Sequence, residues 1–148
     1  ILFYSGDHML SIDYASKAVN LNPSFVQSYG WLGLSQVHYG EYENAEKTFL
    51  KAIDISPLDP DIHIIRTGLN FSCVGQKKFK EALEYIEKNL SLVPNRGNWI
   101  GFRASILGHL GKVDEAAKEL NRYLKQDYLR YSAPFAVSLN IQWKSCVH

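Results

Sequence analysis

The sequence predicts an all-α solenoid built from helix-turn-helix repeats, and two observations lead to that prediction. Glycines recur at intervals of 34, 35 and 36 residues: Gly6, Gly40, Gly75 and Gly111. Other residues keep the same register, since Ala18 and Ala52 are 34 residues apart, as are Pro23 and Pro57. A fixed period of this length is typical of repeat architectures in which each repeat is one supersecondary unit that cannot bury its apolar face alone.

Length and composition fit one small folded array. The chain has 148 residues, of which 46% are hydrophobic and 21% are charged, which is ordinary for a globular protein. Lys and Arg total 16 against 15 Asp and Glu, a formal net charge of +1. Bulk charge therefore predicts neither a nucleic-acid partner nor an anionic membrane surface. The longest apolar run, residues 1–4, is far shorter than the ~20 residues of a transmembrane helix, so we expect no membrane insertion.

Residues 26–59 form the best-defined repeat. Their apolar spacing predicts two amphipathic helices joined by a tight turn. Gly33 and Ala45 are small enough to let neighbouring helices approach closely. Gly40 suits the left-handed conformation that often ends a helix, and Pro57 prevents the second helix from continuing.

The array is expected to cover residues 1–127. We divide it into a truncated repeat at 1–25 and repeats at 26–59, 60–96 and 97–127. The predicted helices span residues 8–20, 25–39, 42–55, 61–74, 78–91, 97–110 and 113–126. Because the sequence begins without Met, in an apolar stretch, we expect it to be part of a longer chain.

The later repeats depart from the pattern of residues 26–59. Gly75 precedes Ala82 by seven residues, whereas Gly40 precedes Ala45 by five, which predicts two extra residues in the turn of the third repeat. Asn89 stands in that repeat where a small Ala is expected. Residues 128–148 lie beyond the last of the repeats, and we expect them to form either a C-terminal capping helix or a tail.

This pattern resembles the tetratricopeptide repeat. The resemblance is carried by a list of residues in register: Tyr29, Leu32, Gly33, Ala45, Phe49, Ala52 and Pro57. It implies a right-handed α–α superhelix whose first helices line a concave groove suited to a peptide or a partner helix. The function implied is non-catalytic protein binding, and no cofactor is expected.

The resemblance also implies which residues line the groove. From the second and third repeats these are Gln27, Trp31, Leu34, His38, Ile62, Ile65, Arg66 and Leu69. From the fourth repeat they are Asn98, Phe102, Ser105 and His109. Arg66 is the one cation of the set and could fix a carboxylate, although an ion pair with a nearby acid explains it more simply.

Two other functions are kept open. Residues 52–60 and 108–117 resemble repeats that accompany bacterial adenylate cyclases and winged-helix regulators, which implies a sensory or regulatory region of a signalling protein. Self-association is the other, because Ile1, Leu2, Phe3 and Tyr4 could dock a second copy of the chain.

Catalytic and metal sites are not predicted. No two histidines have the helical spacing that converges on a metal, and no serine has a nucleophile-elbow context. His38 and His109 each precede a turn glycine, where a donor ring favours a helix end. Lys77, Lys78 and Lys80 are interpreted as a solvated turn. Two distant cysteines, Cys73 and Cys146, predict idle thiols in a reducing, cytoplasmic compartment.

Overall fold

The computed structural model describes residues 7–125, which form seven α-helices and, within that range, no β-strand. In chain order they are α1 (His8–Leu21), α2 (Val26–Tyr39), α3 (Tyr42–Ile55), α4 (Ile62–Gly75), α5 (Phe79–Leu92), α6 (Gly97–His109) and α7 (Val113–Lys125). Each described boundary differs from the predicted one by at most one residue. The all-α, helix-turn-helix class is therefore confirmed.

Two sequence-based expectations concern residues outside this range. The capping helix or tail at 128–148 and the apolar docking segment at residues 1–4 lie outside the described residues. Among the helices that are described, none is both long enough and apolar enough to cross a membrane.

The chain divides into two compact units, Ile1–Pro94 and Asn95–His148. In the first unit each of the helices α1, α2, α3 and α4 packs on the helix that follows it, and α2 also contacts α4. In the second unit α6 packs on α7 as one hairpin. The division falls next to the predicted boundary between the repeats at 60–96 and 97–127.

The core of the first unit is centred on Phe49 of α3. Its side chain is fully buried, together with Ala45 and Ala52 of the same helix. A Cβ added at Gly33 of α2 would lie 2.6 Å from the Phe49 ring, and one added at Gly68 of α4 would lie closer still. The ring therefore fills the space that these two glycines leave, and Phe49 joins two successive first helices.

Left-handed residues end the first helix of each complete hairpin. Gly40 has φ +90° and Gly111 has φ +75°. The backbone amide of the residue after each glycine donates a hydrogen bond back to the helix; Glu41 N–H, for example, donates to the Gln36 carbonyl at 2.8 Å. In the hairpin of α4 and α5 this conformation belongs to Lys77, with φ +62°. Lys78 N–H then donates to the Cys73 carbonyl at 2.8 Å.

Gly75 therefore has a role different from the one its spacing suggested. It is the last residue of α4, and a Cβ there would run into the ring of Tyr42 of α3. The absence of a side chain at Gly75 permits a close approach of α3 rather than a left-handed turn. The prediction of two extra residues in this turn is wrong, because the left-handed Lys77 precedes Ala82 by five residues, as Gly40 precedes Ala45.

Asn89 is buried where the repeat pattern has Ala. Its amide nitrogen donates to the His63 carbonyl at 2.9 Å and to the Thr67 hydroxyl at 3.1 Å, which fastens α5 to α4. Its Oδ1 atom is buried and has no hydrogen-bond partner among the described residues. Asn70 fastens the same two helices through a 2.9 Å bond to the Ala82 carbonyl.

The second unit replaces one small residue of the pattern with a large one. Tyr123 of α7 stands where the earlier hairpin has Ala52, and a Cβ at Gly101 of α6 would lie 3.5 Å from the Tyr123 ring. This is an ordinary van der Waals distance, so the Tyr123 ring does not require a glycine at this position. Ala104 and Ala116 keep their small size and are buried.

Candidate functional site

The predicted residues of α2 lie along one face of that helix. Gln27, Trp31, Leu34 and His38 follow one another at intervals of four, three and four residues, which puts them on one stripe. Gln27 and His38 are exposed, and 56% of Trp31 is exposed. Leu34 is half-buried and packs against the core. We call these four residues the α2 stripe.

The predicted residues of α4 are placed differently. Ile62, Ile65 and Leu69 are buried in the same core cluster as Phe49. Ile65 reaches α2, because a Cβ at Gly30 would lie 3.3 Å from its Cδ1 atom. Their spacing of three and four residues is also the spacing of a core-facing helix stripe, which the sequence did not distinguish from a groove. Contact of these three residues with a partner stays a prediction.

Arg66 is the one predicted residue of α4 outside that core cluster. Its side chain is half-buried. The ion pair with a nearby acid that explains it most simply is not formed with any residue between 7 and 125. The Arg66 guanidinium therefore has no carboxylate of the described residues within ion-pair distance.

In the second unit the predicted residues lie on α6. Asn98, Phe102 and Ser105 are half-buried and His109 is exposed, with the same four-three-four spacing as the α2 stripe. The Asn98 carbonyl oxygen Oδ1 accepts a bond from Trp99 N–H at 3.0 Å. The groove expected to join these residues to α2 and α4 stays a prediction.

Both predicted histidines are in the last turn of a first helix. His38 is in the last turn of α2 and His109 in that of α6, each followed within two residues by a left-handed glycine. Their positions fit the expected preference of donor side chains for helix C-termini.

A polar bridge connects α3 to the turn between α4 and α5. The Glu46 carboxylate accepts from Gln76 Nε2 at 2.6 Å and from Lys78 Nζ at 2.8 Å. Burial acts to raise the pKa of Glu46, but these two hydrogen bonds and the Lys78 charge outweigh it and lower that pKa. One lysine of the predicted solvated turn thus holds two consecutive hairpins together.

Cys73 lies beside this bridge as a buried thiol. Ligand atoms of Glu46, Cys73 and Glu81 all lie within 4.8 Å of one another, a grouping that sequence spacing did not reveal. Burial first, and then the charges of the two carboxylates, raise the pKa of Cys73 to about 12. A thiol is a poor metal ligand until it is deprotonated, and Glu46 is already held by Lys78. The cluster is therefore best described as packing around the bridge.

Comparison with known proteins matches this architecture. Residues 26–57 match the family described as Tetratricopeptide repeat. The chain is 28% identical over 120 residues to Tetratricopeptide repeat protein 6 of Homo sapiens, an alignment that covers 78% of this chain and 22% of that protein. The chain thus spans about a fifth of the length of this curated relative.

Solved structures show the same fold. A MamA structure (MSR-1) has a TM-score of 0.70 at 20% identity and covers 85% of this chain and 71% of its own. A MamA double mutant (RS-1) has a TM-score of 0.75 at 15% identity, covering 88% and 72%. YrrB, described as a TPR protein with an unusual peptide-binding site, has a TM-score of 0.68 at 22% identity, covering 85% and 63%. Residues 26–57 thus match one tetratricopeptide repeat, and the described helices share the fold of these solved structures.

Proposed function

We propose that the chain is a non-catalytic interaction module that binds a peptide or a partner helix along the first helices of its repeats. The observation that carries the proposal is the α2 stripe, where an indole more than half exposed is flanked by exposed polar side chains. Three residues of the stripe, Gln27, Trp31 and His38, are exposed, while Leu34 packs against the core. The peptide-binding site named for YrrB supports the same use of the fold.

The chemistry of the stripe favours a mixed apolar and polar segment. Trp31 offers a large rigid surface of the kind that dominates binding energy at protein interfaces. Gln27 and His38 offer hydrogen-bonding groups at the two ends of the stripe. Arg66, without a carboxylate partner among the described residues, is suited to an acidic side chain or a terminal carboxylate.

The proposal is tested by selecting peptides against the purified chain from a displayed random library. Affinities of the selected peptides are then measured by fluorescence anisotropy. Trp31→Ala is expected to lower affinity at least about tenfold, which corresponds to about 1.4 kcal/mol. Tyr14→Ala is the matched control, because Tyr14 of α1 is also 56% exposed and lies outside the stripe.

Two results would contradict the proposal. One is that no peptide is enriched against the chain. The other is that Trp31→Ala and Arg66→Glu bind the selected peptides as tightly as the unaltered chain does. The same proposal includes a cytoplasmic location, the lack of enzymatic activity and a place within a larger signalling protein. Self-association of the chain is checked by sedimentation of the same samples.

A further inference from the structure

The second unit contains a basic cleft that the α2 stripe does not include. It is an open cavity of about 520 Å³ lined by Asn95, Lys118, Asn121, Arg122 and Lys125. Three of these side chains are cationic, two are amides, and no carboxylate lines the cleft among the described residues. We call this set the α7 cleft.

Helix geometry concentrates the charge on one side of α7. Lys118, Arg122 and Lys125 are separated by four and three residues and therefore share a face. The buried Ala116 marks the opposite, core-facing side. Lys118 and Lys125 are exposed and are about 10 Å apart along the axis, at 1.5 Å per residue.

Arg122 is held in position inside the cleft. Its Nη2 atom donates to Asn95 Oδ1 at 3.0 Å, and its Nη1 atom lies 3.5 Å from a Glu119 oxygen. The other Glu119 oxygen pairs with Arg103 at 3.1 Å. Two arginines thus contact the Glu119 carboxylate, and the contacts to Glu119 and Asn95 hold the Arg122 guanidinium inside the cleft.

The helix dipole accounts for only part of this arrangement. Cations in the last turn of a helix stabilise its negative end, and this explains Arg122 and Lys125. It does not explain Lys118, which is two turns from the end of α7, or the two amides that converge on the same cavity from α7 and from the segment before α6.

We propose that the α7 cleft binds an acidic segment of a partner protein, with two carboxylates about three residues apart. A peptide in the polyproline II conformation has three residues per turn and rises 3.1 Å per residue, so carboxylates three residues apart lie on one side, about 9 Å apart. This separation is close to the distance along α7 between Lys118 and Lys125. Arg122 lies between the two lysines on the same face of α7 and adds its positive charge to the cleft. Asn95 and Asn121 can bond to the peptide backbone. Nucleic acid fits less well, because base stacking needs aromatic side chains and the cleft lining has none.

The test uses two fluorescein-labelled peptides with a Gly-Ser background. One carries two glutamates three positions apart, and the other carries glutamines at the same places. The glutamate peptide is expected to bind, with an affinity that falls as salt rises because exposed pairs are screened. The glutamine peptide is expected to bind at least about fivefold more weakly, and Lys118→Gln/Lys125→Gln is expected to weaken the glutamate peptide by a similar factor.

Lys47→Gln/Lys51→Gln is the matched control, because it removes two exposed lysines of α3 in the first unit. Circular dichroism confirms that both double variants keep their helices. Several outcomes would overturn the proposal: no binding of the glutamate peptide, equal binding of the two peptides, or equal loss in the two double variants. Displacement of the peptide by an oligothymidylate or by inorganic phosphate at lower concentration than by unlabelled glutamate peptide would also overturn it, in favour of a phosphate-binding site.

The outcome is independent of the proposed function of the α2 stripe. Trp31→Ala is expected to leave binding of the glutamate peptide unchanged, and Lys118→Gln/Lys125→Gln is expected to leave binding of library-selected peptides unchanged. Failure of one surface therefore does not decide the other.

Discussion

Single glycines determine how closely the helices of the first unit approach. Gly33 and Gly68 come from different repeats, yet the side chain that each would carry meets the same Phe49 ring. A protein interior is packed too densely for such a ring to move aside without disturbing its neighbours. These glycines therefore act through packing, unlike Gly40 and Gly111, which act through backbone conformation.

Gly68→Ala is expected to destabilise the chain by about 1–2 kcal/mol, since overpacking costs more than the gain in helix propensity returns. Gly101→Ala is the control, because a Cβ there makes only an ordinary 3.5 Å contact with Tyr123. That change is expected to be neutral or to stabilise by up to about 1 kcal/mol. Urea denaturation followed by circular dichroism measures both, and equal effects of the two substitutions would contradict this account of Phe49.

At the level of elements, consecutive hairpins are fastened by polar contacts as well as by the core. The turn between α4 and α5 supplies Gln76 and Lys78 to Glu46 on α3. This is possible because Lys77, not Gly75, adopts the left-handed conformation, which places Lys78 beyond the end of α4. The turn thus supplies both donors of the bridge, Gln76 and Lys78.

The Glu46 bridge predicts a pH dependence of stability. The pKa of Glu46 is lowered in the folded chain, so its contribution is present above the unfolded value near 4.5 and is lost as pH falls through the folded value. Glu46→Gln is expected to be less stable than the unaltered chain at pH 7, and the difference is expected to shrink in strongly acidic buffer. Urea denaturation at the two pH values measures this.

The control for that experiment is Glu84→Gln, which removes an exposed carboxylate of α5 outside the bridge. It separates the bridge from the general effect of one fewer acid. A stability difference for Glu46→Gln that stays constant, or grows, on acidification would contradict the role given to Lys78 and Gln76.

At the level of the whole molecule, the first unit has a core of its own. Its central cluster of buried residues lies entirely on α2, α3 and α4. A fragment of residues 1–94 is therefore expected to fold with a cooperative thermal transition, because stacked repeats are stabilised mainly by nearest neighbours. Circular dichroism of the purified fragment tests this, and a helical spectrum that declines without a transition would contradict it.

Much of the fold could be predicted because its determinants are local. Helix boundaries follow from apolar spacing and from glycine and proline, and each described boundary was predicted to within one residue. The roles of individual residues were harder to predict. Gly75 fitted the period of a turn glycine but packs against Tyr42, and Ile65 fitted a groove position but is buried. Both depend on which helix lies opposite, and spacing along one helix does not contain that information.

The candidate surfaces divide in the same way. The α2 stripe could be predicted because four residues on one helix face share a period. The α7 cleft was missed, because it needs Asn95 and α7 to meet although 23 residues separate Asn95 from Lys118. Sequence alone thus determined the all-α repeat class and the helices. Tertiary structure decided which glycines pack, which cations are paired and where a cleft opens, since these depend on contacts between residues distant in the chain.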